Sequence, residues 1–552
     1  MPKLQKTKTD PRQSEVLLLA WLASCVSVIA FLWYFKNSDA TLYGDAVAHI
    51  NIARRVFDSK TPGLLQLGTV WLPLPHLLMM PFLISMNMWQ SGAGGSIPSM
   101  VAYVFGVVGI FRLTRDGLAR GGEPEIRARM AAWIAALIYA ANPNLIYMQS
   151  TAMGETLYLT FFVWAVVYFA DSIRGSNKAL TKCALCLAAA CLTRYDGWFL
   201  AAIMTACVVT RALLSVRKQN GPAPRWPSAS VLRFVLIAAA IPVFWLTYNG
   251  IVYRNPLEFE NGPYSAKAIE RKTQSPGNPG HPGSGLPISA AIYFLKSAED
   301  NMAENQWLQR GWLLALAIAL ALLAGTLRPR TSAKPLWPLL FLLVPLPFYA
   351  LSVAYSGVPI FIPQWWPFTH YNVRYGLQLL PAFSVALGGL AYPVIQWGTS
   401  VRWLRLGRTL AISAFIVVSY ATIWHASPIC LREAQINMRT RNQLEAQLAG
   451  WLSKLPPDST LLMYLGDHVG AVQRAGIPLK RTINEGNHRV WKQPVDPDGL
   501  WERALANPAQ YADFILAFDG DPVWQHVPNL KLQEIVEVHV TGQARAVLYR
   551  AR

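Results

Sequence analysis

Apolar and polar positions separate on a long scale along this chain. Between residues 15 and 425, apolar runs approach the length of about 20 residues that crosses a bilayer, and short polar segments part them. The first run is 15–35; others fall near 97–114, 130–147, 156–173, 179–193, 198–214, 231–249, 311–327, 336–354, 376–397 and 409–425. The pattern predicts about eleven membrane helices. A further apolar stretch, GTVWLPLPHLLMMPFLI (68–84), carries Pro73, Pro75 and Pro81. Proline interrupts helical hydrogen bonding, so an interfacial or re-entrant helix is expected there, with Trp71 at headgroup depth.

Beyond residue 425 the pattern changes. Residues 431–454 read as an amphipathic helix. Strand-like runs follow at STLLMYLG (459–466), PLKRTIN (478–484) and DFILAFDG (513–520), and EIVEVHV with ARAVLYR reads as a hairpin turning at Thr541–Gly542. The expected organisation is a cytoplasmic tail (1–14), a transmembrane domain (15–425) and a small extracytoplasmic α/β domain (426–552).

Charge fixes the orientation. The net charge is +19, but the basic residues collect in alternate loops. They include Lys3, Lys6, Lys8 and Arg12 before the first run, Arg112–Arg129, Arg174–Lys182, Arg211–Arg233, Arg328–Lys334 and Arg402–Arg408. Cytoplasmic loops attract Lys and Arg, so the N-terminus is expected inside and the C-terminal domain outside. The tail is nearly balanced in charge, which removes the main support for a nucleic-acid partner.

Composition agrees: 53% of the 552 residues are hydrophobic and 14% are charged, against about 25% charged in soluble domains. Disorder and a disulfide scaffold are excluded. Five of the six cysteines fall in predicted helices, so Cys183-x-x-Cys186 reads as helical packing before a redox pair. The first run is long and rich in Trp and Phe, so a retained helix is expected before a cleaved signal.

Candidate chemistry lies on the outer side. The long loop 36–96 contains DAVAHINIARRVF, a predicted helix on which Asp45 and His49 share a face. The second long loop, 250–310, holds the stretch QSPGNPGHPGSG (274–285), whose Gly and Pro content predicts a mobile flap or linker. Short outer turns place Glu155 in MGETLYL, Arg194 and Asp196 in LTRYDG, and His370, Tyr371, Arg374 and Tyr375 in THYNVRYG. Each has a plainer reading: Asp45 as a helix cap, Arg194 with Asp196 as an ion pair, His370 and Tyr371 as interfacial aromatics. AFDGDP reads first as a polar turn.

These features together resemble the GT-C class of membrane glycosyltransferases. The resemblance rests on GDAVAHINIARRVFD (44–58), WLPLPHLLMMPF (71–82), MGETLYL (153–159), LTRYDG (192–197) and VRYGLQLLPA (373–382), within a shared topology. Departures are Ala46 after Asp45, where many members have Asp-Glu, and Glu155 where several have Asp. The resemblance implies a polyprenyl-phosphate-linked sugar donor, membrane lipids as surroundings, and a glycan, lipid or protein acceptor. It implies transfer, with inversion, at the outer face of a bacterial inner membrane.

It also makes Asp45 the candidate general base. His49 would tune it or contact the sugar. Glu155 would hold a sugar hydroxyl or a divalent cation, the latter with Asp45 and His49. Arg194 and Arg374 would meet the lipid phosphate, with Asp196, His370 and Tyr375 in the same region. Rival classes are a transporter or flippase of lipid-linked sugar and an O-antigen-type polymerase or ligase. Transporters often show internal repeats, and none is evident here.

Overall fold

The structure, a computed structural model, describes residues 11–120, 125–173, 176–217, 226–273, 280–326, 336–396, 401–466, 468–488, 497–528 and 530–552. Helices stand at all eleven predicted span positions, from Pro11–Lys36 to Arg402–Ala426. Among the described residues, eight helices are long and apolar enough to cross a membrane, and a bent pair makes a ninth. The remaining two positions hold Glu155–Ser172 and Asn177–Cys191. The protein is a multi-pass helical membrane protein. Lys3, Lys6, Lys8, Arg174, Lys218, Arg225, Arg328, Arg330 and Lys334 lie outside the described residues, as do positions 274–279 of the Gly/Pro stretch.

Local chemistry shapes the connections between these helices. Glu125–Ala140 and Pro143–Gln149 meet at 62°, because Asn142 caps the second helix and Pro143 opens it. The first outer loop folds back as Gly44–Arg55, Leu74–Leu83 and Met86–Gln90. The Gly44 helix lies close against the span Ala93–Arg120: a Cβ on Gly95 would sit 2.6 Å from Ile50 and 2.7 Å from Ala152. The Leu74 helix is ten residues long, with Pro75 in its first turn, as expected for a segment that does not span.

The expected flap at the Gly/Pro stretch falls in part outside the described residues, at 274–279. The described part of the 250–310 loop forms the helices Glu258–Asn261, Ala266–Thr273 and Pro287–Asp300. Ala290, Phe294 and Ala298 recur at helical spacing and are buried, which gives the last of these a core face. His281 then ties the loop to the bundle, bonding Glu270 and, at 2.7 Å, the Val353 carbonyl.

After Pro428 the helix Ile429–Leu452 leads into the C-terminal domain. There β1 (Leu461–Met463), β2 (Thr482–Ile483), β3 (Phe514–Phe518), β4 (Gln533–Val538) and β5 (Ala546–Arg550) form one sheet in the order β2-β1-β3-β5-β4. β1 runs parallel to β2 and β3, while β5 is antiparallel to β3 and β4. Gly542 has φ +85° at the turn between β4 and β5, a conformation glycine adopts without steric cost. Asp521 accepts from the backbone N–H of Trp524 at 2.6 Å, so AFDGDP is a polar turn.

The domain grips the first outer loop. Asp58 accepts from the backbone N–H groups of Leu479 (3.2 Å) and Lys480 (3.1 Å) while paired with Arg54 at 2.7 Å. Asn51 donates to Gln473 at 2.6 Å, and Gln66 donates to the Gly486 carbonyl at 2.8 Å.

Candidate active site

Charged side chains from five segments meet where the ends of several helices come together. Asp45, Glu155 and Asp196 each stand in the first turn of a helix, where the helix dipole favours a carboxylate. Arg374 follows Asn372, which is left-handed at φ +56°, a conformation Asn tolerates. Gly376 lets this turn press onto the Pro287 helix, since a Cβ there would stand 2.4 Å from the Ser297 carbonyl. Ser297 and Asn301 hold the turn by donating to the Val373 carbonyl at 2.9 and 2.8 Å.

Arg374 is the hub. Its Nη2 donates to Asp45 Oδ2 at 2.8 Å, its Nε to Glu155 Oε1 at 3.1 Å and its Nη1 to Glu433 Oε1 at 2.7 Å. Arg194 shares Glu155 Oε1 at 2.9 Å, meets Asp196 at 3.2 Å and donates to the Tyr349 hydroxyl at 3.0 Å. Tyr349 in turn donates to Asp196 Oδ2 at 2.7 Å. The Tyr375 ring touches both cations, 5.0 Å from the Arg194 guanidinium and 5.2 Å from that of Arg374; Tyr43 covers Arg374 at 5.1 Å. Burying unpaired ions costs several kcal/mol each, and this mutual pairing is what makes the cluster tolerable.

One member differs. The Asp45 side chain is 42% exposed, whereas Glu155 and Glu433 are each 1% exposed. Glu155 Oε2 is buried and accepts no hydrogen bond among the described residues. A buried lone pair of this kind calls for a donor.

His49 faces the same cluster, under the charges of Asp45, Glu155, Arg374 and Arg194. Its Nδ1 lies 2.8 Å from His76 Nε2, and its ring packs on Trp71 at 4.9 Å. Burial lowers the pKa of both imidazoles, His76 the further.

The cluster thus brings together Asp45, His49, Glu155, Arg194, Asp196, Arg374 and Tyr375. His370 is not part of it. Its carbonyl accepts from Asn437, its Nε2 is buried without a partner among the described residues, and burial with the Arg432 charge lowers its pKa to about 4. The tertiary fold turns it toward the Ile429 helix. The expected Asp45–His49–Glu155 cation site is not assembled: no three potential metal ligands group closely among the described residues, and a guanidinium takes one oxygen of each carboxylate, Asp45 Oδ2 and Glu155 Oε1.

Sequence reasoning missed Glu433, Tyr349, Tyr43 and His76. Glu433 left a trace: it falls one turn from Ile429 and Cys430 and beside Ala434, on the buried face of its helix. An acid on an apolar stripe is a buried acid in need of a cation.

No family profile matches the chain, and no curated protein sequence does. Solved structures do. ArnT from Cupriavidus metallidurans, bound to undecaprenyl phosphate, superposes with a TM-score of 0.54 at 14% identity, covering 98% of both chains. This chain has the ArnT fold. Apo ArnT gives a TM-score of 0.50 at 13% identity over 98% of this chain and 99% of that one. The Archaeoglobus fulgidus oligosaccharyltransferase AglB, in complex with an inhibitory peptide and a dolichol phosphate, is more distant. Its TM-score is 0.49 at 12% identity, over 92% of this chain and 70% of AglB. Coverage of ArnT from end to end includes the C-terminal domain, so the shared fold extends beyond the helical bundle.

Proposed function

We propose that this protein is a membrane glycosyltransferase. It moves a sugar from a polyprenyl-phosphate-linked donor to an acceptor hydroxyl at the outer face of the membrane. The observation that carries the reading is the cluster itself: a half-exposed carboxylate, Asp45, held by the buried cation Arg374. The ArnT fold supports it, since that relative was solved with undecaprenyl phosphate.

The chemistry follows from the exposures. The acceptor oxygen attacks the anomeric carbon and loses its proton to Asp45. The bond from that carbon to the phosphate oxygen breaks, and its electron pair leaves with the lipid phosphate. Arg374 and Arg194 stabilise the departing charge. Attack opposite the leaving group inverts the anomeric centre. Glu155 Oε2 accepts from a sugar hydroxyl. In the resting cluster Asp45 occupies Arg374 Nη2. The incoming phosphate takes that donor and frees Asp45 to act as base.

The test is sugar transfer in membrane vesicles with a panel of polyprenyl-phosphate sugars, wild type against Asp45→Asn. Release of polyprenyl phosphate that Asp45→Asn loses by about a hundredfold or more supports the reading. Equal release by both removes Asp45 as base. No release from any donor overturns the enzyme reading in favour of transport.

A further inference from the structure

The buried His49–His76 contact has a defined chemical consequence. Resting on the reading above, we infer that His76 is a positioning residue that fixes His49 as a neutral hydrogen-bond donor aimed at the leaving phosphate.

Two neutral imidazoles joined through Nδ1 of His49 and Nε2 of His76, 2.8 Å apart, share one proton between them. There are two arrangements. If His49 donates, neutral His76 carries its own proton on Nδ1. That atom is buried and has no partner among the described residues, so an N–H is orphaned. His49 Nε2 is then a lone pair facing the cluster. If His76 donates, His76 Nδ1 is the bare lone pair, and His49 presents Nε2–H. Orphaned buried N–H groups are the rarer kind of unsatisfied group.

The charged groups acting on the dyad are Asp45 on the same helix, Glu155, Arg194 and Arg374 from the bundle, and Arg55 beside His76. Burial keeps both rings uncharged. Trp71 packs on the His49 ring and holds its plane.

No described residue hydrogen-bonds His49 Nε2, and it is absent from the buried atoms lacking partners. It is therefore a ring nitrogen that a bound group can reach. A neutral donor suits a group that gains negative charge as the sugar–oxygen bond breaks. It strengthens in the transition state without binding the dianion product as tightly as a third cation would.

Two variants separate this role from packing. His76→Gln offers an amide N–H where Nε2–H stands. His76→Phe keeps a ring and removes the donor. In the full-length protein, His76→Phe should lower kcat about tenfold or more, the scale of one misdirected donor. The KM for the sugar donor should stay within about threefold, and His76→Gln should retain most activity. Equal rates in all three proteins, or equal losses in both variants, would overturn the inference.

A second readout needs no turnover. Nitrogen-15 NMR of histidine-labelled protein in nanodiscs, assigned with His49→Gln and His76→Gln, reports each ring nitrogen. We expect His49 protonated on Nε2, bare on Nδ1 and titrating below the ordinary histidine range. Protonation on Nδ1, or an imidazolium in that range, would overturn it. If wild type transfers no sugar, the enzyme reading fails and the NMR result still decides the dyad.

Discussion

Asp45→Asn should make the protein bind polyprenyl phosphate more tightly while it loses turnover. Arg374 Nη2 has one partner in the resting cluster, Asp45 Oδ2 at 2.8 Å. A phosphate arriving at that donor must displace it. The energy of the displaced contact sets the size of the effect. Exposed ion pairs contribute about 0–1 kcal/mol, and hydrogen bonds to charged groups about 1.5–3 kcal/mol. Arg374 is 8% exposed and Asp45 42%, so the pair falls between these limits, at about 1–2 kcal/mol. The amide of Asn is a weaker competitor and carries no charge to repel the phosphate. At about 1.4 kcal/mol per tenfold change, affinity should rise about 5–30-fold. The assay is equilibrium binding of polyprenyl phosphate to full-length protein in nanodiscs, wild type against Asp45→Asn. Unchanged or weaker binding in the variant would refute the displacement of Asp45, whatever happens to catalysis.

Other outcomes follow from the same geometry. Gly376→Ala forces a Cβ to 2.4 Å from the Ser297 carbonyl; backbone must shift, and stability should fall by about 1–3 kcal/mol, seen as a lower unfolding midpoint with weakened phosphate binding. Asp58→Ala removes the acceptor of Leu479 and Lys480 N–H and the partner of Arg54; limited proteolysis should then release the C-terminal domain faster, and equal rates would refute its role as the clasp. The pKa of His370 is lowered from 6.5 to about 4 by burial and the Arg432 charge. Between those values the unfolded chain binds more protons than the folded one, so stability is full above about pH 6.5 and declines as pH falls toward 4. His370→Gln should flatten part of that decline in unfolding scans at about pH 7 and 5.

The membrane class was legible in the sequence because it depends on local quantities. A span is a matter of length and hydropathy, and bilayer thickness supplies the ruler. The turn residues of the C-terminal domain are equally local, and strands formed at each expected run. Asp45 was expected at a helix start and stands there; the structure adds Glu155 and Asp196, since first-turn acids are favoured whatever surrounds them.

Pairing is a different matter. Arg374 reaches Asp45 across 329 positions, Glu155 across 219 and Glu433 across 59, and spacing within one segment carries no information on such contacts. His370 lies four residues from Arg374 in sequence yet faces another helix. Glu433 stands outside every run that seemed to carry chemistry, yet it holds Arg374 and the Val373 N–H, each at 2.7 Å. The His49–His76 contact joins two helices of one loop through a packing choice that hydrophobicity alone leaves open. The sequence by itself determined that charges would collect at the ends of apolar helices, because burial in lipid is too costly for them elsewhere. Only the tertiary structure decided which charge meets which, because buried ions must find partners wherever the packed helices bring them.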